Sequence, residues 1–388
     1  MQPAPRPFSS APRLAHLDGL RAVAAGYVVM FHAVLGFTGS ELTGPWRALR
    51  RVFAFGHEAV AIFIVLSGYC LMLPAARSHP ARLTSTTGDF LRRRALRILP
   101  PYFAALAISI LLIAKLGVLQ SHSGTTWDDS LPGVALGPIA AHALLIHNWF
   151  PAWGYQLNGP LWSVATEWQI YFFFPLLLLP LWRRLGPLAT LASAAILGYA
   201  PLLLAPASAK VAIPWYLLLF VFGMVAASVG FSPAETHGRL RRLHWGPLCA
   251  GLWALCAALG LLAAPLWFRW KPVTDALVGL ATATLLVHLS AQARSSDTRR
   301  PFLLGLLESR ALVALGHFSY SLYLIHLPVV ALCFFGLERL GWAKGPLTLA
   351  LLVVGGSASL LVAYAFHLGV ERPLMSRRDS LQRSPVRP

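Results

Sequence analysis

Runs of about twenty apolar residues, separated by short polar and basic segments, recur along the chain. Because a helix rises about 1.5 Å per residue, about twenty apolar residues cross the hydrocarbon core of a bilayer. The pattern predicts an all-α polytopic membrane protein with about ten transmembrane helices. The predicted spans cover residues 18–37, 56–75, 99–119, 160–181, 187–205, 213–230, 246–265, 272–290, 311–334 and 346–368.

One further apolar stretch, residues 131–150, is long enough to cross a membrane but does not fit the distribution of charge. Counting it as a span would reverse every later loop and move most downstream arginines to the outer side. The stretch is also broken by Pro132, Gly133, Gly137 and Pro138. Irregular backbone is tolerated at membrane depth where protein or a water-filled cavity covers it. This segment is therefore predicted to be a re-entrant or interfacial element on the outer side.

The composition supports a membrane protein, since 57% of the 388 residues are hydrophobic and only 12% are charged, against about a quarter in soluble domains. The formal net charge of +18 falls mainly between apolar runs, where arginine sets membrane orientation. This distribution predicts a multi-pass protein of the cell membrane, with both termini cytoplasmic, contacts to membrane lipids and no nucleic-acid partner. The predicted divisions are a cytoplasmic tail over 1–16, a transmembrane domain over 17–372 and a basic cytoplasmic tail over 373–388. The four cysteines form no metal-ligand pattern, so no metal site is expected.

The first predicted span carries two ionisable residues, Arg21 near its start and His32 near its middle. Such residues are costly within a membrane and commonly mark a functional site. Their spacing of eleven residues puts them on nearly the same helix face, roughly 16 Å apart along the axis. Arg21 also follows Asp18 by three residues, a spacing at which helical side chains meet, so it is either functional or an interfacial anchor. An imidazole suits proton transfer near neutral pH, which makes His32 a candidate catalytic residue, with a merely hydrogen-bonded histidine as the alternative.

A basic segment, DFLRRRALRILPPY over 89–102, is predicted to form a short helix that ends at Pro100 and Pro101, where the next span begins. Arg94 and Arg97 are three residues apart and therefore share a helix face. Two guanidiniums on one face suit bidentate binding of phosphate groups. An RxxR pair also serves as an ordinary cytoplasmic anchor, and that alternative stays open at this point.

Two later segments add polar side chains to predicted spans. NGPLWSVATEWQIYFFFP over 158–175 places Glu167 inside a span, where a carboxylate needs a partner or water. Glu167 either acts on His32 or an acceptor hydroxyl, or pairs with an arginine such as Arg51. GHFSYSLYLIHLPVV over 316–330 contains Tyr323 and His326, which we interpret as interhelical hydrogen-bonding residues.

Taken in order, these segments resemble the membrane-bound acyltransferase 3 family. The matching segments are LDGLRAVAAGYVVMFHA, IFIVLSGY, RRRALRILPPY, NGPLWSVATEWQIYFFFP, ALGHFSYSLYLIH and GVERPL, and the resemblance covers about residues 14–375. It implies an O-acyltransferase that moves an acyl group, often acetyl, from cytoplasmic acyl-CoA to a carbohydrate or glycolipid hydroxyl at or across the membrane. At the matching positions it implies Arg21, His32 and Glu167 as catalytic residues, with Arg94, Arg97 and Arg21 binding acyl-CoA.

We therefore expect the phosphates of acyl-CoA to bind Arg21, Arg94 and Arg97, with the pantetheine arm reaching His32 inside one continuous cavity. In this hypothesis His32 is the general base on the acceptor hydroxyl or, less favoured, accepts the acyl group itself. The competing interpretation is a carrier that moves an acylated or glycosylated solute without chemistry, because intramembrane charge and re-entrant segments occur there too. The motifs are not duplicated in two halves, which favours the enzyme.

Overall fold

The computed structural model describes residues 14–34, 42–78, 83, 85–295 and 300–374, apart from the side chains of 235–237. Within these residues the chain is helical and has no strand. The helices are α1 (Ala15–Val34), α2 (Gly44–Val52), α3 (Gly56–Ala76), α4 (Thr87–Lys115), α5 (Leu136–Ala143), α6 (Leu161–Phe173), α7 (Leu179–Leu204), α8 (Pro206–Ala212), α9 (Tyr216–Phe231), α10 (Glu235–Arg241), α11 (Trp245–Leu262), α12 (Ala264–Arg269), α13 (Lys271–Arg294), α14 (Phe302–Leu307), α15 (Arg310–His317), α16 (Ser319–Glu338), α17 (Lys344–Ala350) and α18 (Gly356–Phe366). Three π-helical stretches, Phe174–Leu178, Leu351–Gly355 and His367–Glu371, follow α6, α17 and α18 directly. The predicted tails over 1–16 and 373–388 lie almost wholly outside the described residues.

In the described part of the chain, eight helices are long and apolar enough to cross a membrane, or up to nine if the bent pair α8 and α9 is one span. The prediction of an all-α multi-pass protein is confirmed, but the count of about ten is not. One difference is at residues 161–204, where two spans were expected and a single helical stretch of 44 residues is found. Its direction changes at Gly186, whose φ of 82° suits glycine. The second difference is the span predicted over 213–230, where α9 has only 16 residues. It counts as a span only together with α8, from which it is bent by 41°.

Two predicted boundaries are wrong. The basic segment 89–102 does not end at Pro100 and Pro101, because both prolines lie inside the continuous 29-residue helix α4. Proline is tolerated in this way in membrane helices, where neighbouring groups and local adjustment compensate for the lost backbone hydrogen bond. The span predicted over 311–334 is divided, because Phe318 has non-helical backbone angles that separate α15 from α16.

The segment 131–150 contains no helix long enough to cross a membrane, in agreement with the prediction of a broken element. Its longest helix, α5, has eight residues. Side-chain hydrogen bonds attach the segment to neighbouring helices. Among them, Tyr102 Oη donates to the carbonyl of His142 at 2.9 Å, Asn148 donates to Thr166 Oγ1 at 3.0 Å, and Gln169 donates to the carbonyl of Leu145 at 2.9 Å. The segment therefore packs against α4 and α6.

Helices α1, α3, α9, α13 and α16 form the interior of the bundle, and most of their residues are buried. Helices α3 and α9 are in backbone contact, because a Cβ added at Gly68 would lie 1.9 Å from the carbonyl oxygen of Phe220, and one at Gly223 would lie 2.0 Å from that of Val65. Small residues permit this close approach in membrane bundles. Helices α7, α11 and α18 lie at the periphery and expose leucines, as expected of surfaces that face lipid.

Two histidines stack inside the broken segment. The rings of His142 and His147 are 3.7 Å apart and inclined by 9°, and both side chains are fully buried. Burial lowers the pKa of His142 to about 4. Burial and the adjacent ring of His142 lower the pKa of His147 well below its usual value. The folded protein therefore holds both rings neutral, outside the candidate spans.

Because His142 and His147 are buried as neutral rings, we predict that the folded protein loses stability in mild acid. An unfolded histidine has a pKa of about 6.5, above the folded value, so the stabilisation is complete above about pH 6.5 and is lost as the pH falls toward 4. We expect the thermal midpoint of the detergent-solubilised protein to fall between pH 7 and pH 5, and to fall less in His142→Phe, which keeps an aromatic ring. His122→Phe is the matched control, because the side chain of His122 is 84% exposed. Equal pH dependence in the wild type and His142→Phe would contradict this assignment.

Candidate active site

A cavity of about 730 Å³ opens into the bundle, within the range of small-molecule sites. Helices α1, α3, α4, α6, α15 and α16 and residues 367–372 after α18 line its walls. Its charged residues are five arginines, Arg21, Arg77, Arg94, Arg97 and Arg372, and three carboxylates, Asp18, Glu167 and Glu371. Arg77 directly follows the last residue of α3, and Arg372 directly follows the π-helical stretch His367–Glu371. We call the end of the cavity at which these arginines lie the basic mouth. Five guanidiniums against three carboxylates favour an anionic ligand.

Arg21 is held at the cavity wall by two contacts. Its guanidinium donates to Asp18 Oδ1 at 3.0 Å and to Cys70 Sγ at 3.1 Å. The start of α1 is itself held by close packing against the end of α14, since a Cβ added at Gly19 would lie 1.9 Å from the carbonyl oxygen of Leu307. The predicted contact between Asp18 and Arg21 is therefore present, and it also positions Arg21 in the cavity.

Arg94 and Arg97 lie in the first half of α4 and line the same cavity, as their spacing predicted. The start of α4 is fixed by Thr86, whose Oγ1 accepts a hydrogen bond from the backbone N–H of Asp89 at 3.1 Å. The guanidinium of Arg94 lies 5.6 Å from the centre of the Phe90 ring, a cation–π contact that orients it. Both arginines are partly buried.

Glu167 also lines the cavity, and its partners are hydroxyl groups, with no ion pair to Arg51 in the described structure. Ser67 Oγ donates to Glu167 Oε1, and Tyr171 Oη donates to the same oxygen at 2.5 Å. These bonds satisfy the partner requirement of a carboxylate inside a bundle. The alternative of an outer interfacial salt bridge is therefore wrong, and Glu167 is not bonded to His32.

His32 does not line the large cavity, and the expectation of one continuous cavity is wrong for this structure. His32 instead lines a second space of only about 10 Å³, together with Thr125, Thr126 and Trp127 of the loop before 131–150. That volume holds roughly one water molecule. The ring of His32 is partly buried and contacts His326, with Nδ1 of His32 3.1 Å from Nε2 of His326.

Packed side chains lie between the large cavity and the ring of His32. Phe63 and Tyr323 line the large cavity, and their ring centres are 6.0 Å apart. Tyr323 Oη lies 2.6 Å from Ser163 Oγ and donates to the carbonyl of Pro160 at 3.1 Å. On its other side the ring of Tyr323 is 5.9 Å from that of His326. We call Phe63 and Tyr323 the separating layer.

The cavity also contains residues to which the sequence had assigned no function. His367 Nδ1 lies 2.8 Å from Glu371 Oε2, and Ser321 Oγ donates to the same oxygen at 2.5 Å. Glu371 and Arg372 belong to the GVERPL segment, which the family resemblance had included. A short motif after the last predicted span gives no indication of where its side chains point, so these residues were not assigned to the site. In the described residues no group of three His, Cys, Asp or Glu side chains is arranged to hold a metal ion.

Comparison with known proteins gives one family. A family model described as an acyltransferase domain, acyltransferase 3, matches residues 14–368. Acyltransferase MdmB of Streptomyces mycarofaciens is 29% identical to this chain over 412 aligned residues, which cover 96% of this chain and 95% of that protein. Protein 2 in the picA locus of Rhizobium radiobacter is 31% identical over 179 residues, or 45% of this chain and 83% of that protein. No solved structure matches the chain.

Proposed function

The chain belongs to the acyltransferase 3 family, and from this premise we propose that it transfers an acyl group, acetyl in the first instance, from acyl-CoA to a hydroxyl of a carbohydrate or glycolipid. The observation that carries the proposal is the arginine-lined cavity of about 730 Å³. Acyl-CoA is an anionic thioester with several phosphate groups, and guanidiniums bind phosphate through charge-assisted hydrogen bonds. In this proposal the basic mouth faces the cytoplasm of the cell, where the donor is made.

The donor is proposed to enter with its phosphates at the basic mouth. Arg94 and Arg97 bind the phosphates together with Arg21, and the pantetheine arm extends along the cavity toward the separating layer. Glu167 lies on that path and accepts a hydrogen bond from an amide N–H of the arm. The uncharged thioester is then the part that reaches furthest into the bundle, which avoids moving charge into an apolar interior.

The acceptor hydroxyl is proposed to reach His32 from the other side, through the small space lined by Thr125 and Thr126. His32 takes the hydroxyl proton as the oxygen attacks the thioester carbonyl. The C–S bond then breaks, and the departing thiolate receives the proton from the imidazolium, which gives an ester and free CoA. This step requires the separating layer of Phe63 and Tyr323 to open when the donor binds, a gating motion common in transferases that exclude water.

The competing function is a carrier that moves a solute without chemistry. Membership of an acyltransferase family argues against it. Turnover of radiolabelled acetyl-CoA by the purified protein distinguishes the two functions, because a carrier would leave the thioester intact.

We predict that Arg94→Ala and Arg97→Ala each raise the KM for acetyl-CoA about ten- to hundredfold, the cost of losing one charge-assisted hydrogen bond. The measurement is acetyl transfer or hydrolysis by purified protein in detergent. Arg92→Ala is the matched control, because Arg92 lies on the same helix, is exposed and does not line the cavity. An unchanged KM in both variants would remove the phosphate-binding role of this pair.

We predict that His32→Gln lowers kcat by about 10²- to 10⁴-fold, the usual contribution of a general base, and leaves the KM for acetyl-CoA unchanged. Mass analysis of cell-envelope glycans should show acyl esters in cells that carry the wild-type gene and none in cells that carry His32→Gln. His288→Gln is the matched control, because His288 lies in α13 and lines neither cavity. Normal transfer by His32→Gln at normal membrane abundance would refute the catalytic role.

A further inference from the structure

His326 lies at the middle of α16 and touches the imidazole that the proposed reaction uses. Its side chain is fully buried, and its ring centre is 4.9 Å from that of His32. Nδ1 of His326 is 2.8 Å from the carbonyl oxygen of Tyr323 and 3.1 Å from that of Leu322. Its other nitrogen, Nε2, is 3.1 Å from Nδ1 of His32. The backbone of α16 thus binds Nδ1 of His326, and Nε2 of the same ring points toward His32 of α1.

These partners determine where the ring protons lie. A carbonyl oxygen only accepts, so Nδ1 of His326 carries a proton and donates it. A buried imidazolium without a carboxylate partner is costly, and the hydrogen bonds that both rings make in the described structure go to backbone carbonyls and to each other. Both rings are therefore neutral, and Nε2 of His326 is left as an acceptor. Nδ1 of His32 faces this acceptor and also the carbonyl oxygen of Val28 at 2.9 Å. Nδ1 of His32 therefore carries a proton, and Nε2 of His32 carries the lone pair.

We propose that His326 is a positioning residue, which fixes the tautomer and ring orientation of His32 so that Nε2 of His32 is the atom that accepts the hydroxyl proton. The inference rests on the proposed function of His32 and assigns the atom that performs it. When Nε2 accepts the proton, Nδ1 keeps its own and continues to donate to His326, so no rearrangement of the pair is needed. An acidic group performs this task in serine hydrolases, whereas here a neutral ring orients the base.

The alternative is that His326 only joins α1 to α16. That role can be separated from positioning, because the carbonyls of Leu322 and Tyr323 also accept the regular backbone hydrogen bonds of the helix. In a regular helix the N–H of His326 donates to the carbonyl of Leu322, and the N–H of Leu327 donates to that of Tyr323. Removing the imidazole therefore leaves the helix bonds of α16 intact. Its loss should be felt at His32 and not in the folding of α16.

The test compares His326→Phe, which keeps a ring but has no acceptor, with His326→Gln, whose amide oxygen can accept from His32 near the position of Nε2. We expect His326→Phe to lower kcat about 10- to 100-fold, as loss of an orienting partner does, with the KM for acetyl-CoA unchanged. We expect His326→Gln to recover most of the lost kcat. The matched control is His288→Phe, which should leave kcat unchanged. Should His326→Phe not accumulate in the membrane, His326→Met removes the acceptor with an unbranched side chain.

Wild-type kcat in His326→Phe or His326→Met would overturn the inference, and so would equal loss in His326→Phe and His326→Gln. An effect confined to the KM for acetyl-CoA would also overturn it, because the tautomer of His32 has no part in donor binding. These outcomes are distinct from failure of the proposed function. If His32→Gln keeps its activity, the catalytic assignment fails whatever the His326 variants do, whereas an inactive His32→Gln with an active His326→Phe refutes only the positioning role.

Discussion

The structure depends on one constraint, which is that every ionisable group inside an apolar bundle needs a partner or a cavity. Arg21 meets it through Asp18 and Cys70, and Glu167 through Ser67 and Tyr171. The two histidines near the separating layer meet it through each other and through backbone carbonyls. The polar side chains are therefore arranged in bonded groups, two of which lie at the large cavity and one of which contains His32.

The large cavity and the small space beside His32 are separate, and this separation fits the proposed transfer of an acyl group between a donor on one side and an acceptor on the other. A donor with several negative charges suits the wide basic space, and an acceptor hydroxyl suits the narrow space beside His32. Tyr323 at the wall of the large cavity contacts His326, which contacts His32. In the proposed function, a permanently open passage would expose the thioester to water and the membrane to leakage, and opening of the separating layer only when donor is bound would avoid both.

Much of this arrangement could be predicted from the sequence, because membrane spans and charged residues within them are strong local signals. The family resemblance implied that Arg21, Arg94 and Arg97 share one site, and they do line one cavity. The path of α4 through Pro100 and Pro101 could not be predicted, since proline ends most helices and its tolerance depends on the surrounding bundle. The contact between His32 and His326 joins residues 294 positions apart. No local pattern reports such a pairing, and His326 alone was interpreted only as a hydrogen-bonding residue.

The central claim is that a donor bound at the arginines reaches His32, and an experimental structure with a thioether analogue of acetyl-CoA tests it most directly. The account predicts phosphate density against Arg94 and Arg97, the side chains of Phe63 and Tyr323 moved apart, and the acyl end of the analogue within about 4 Å of the His32 ring. A bound analogue whose acyl end stops below an unmoved Tyr323, or whose phosphates lie away from these arginines, would contradict it.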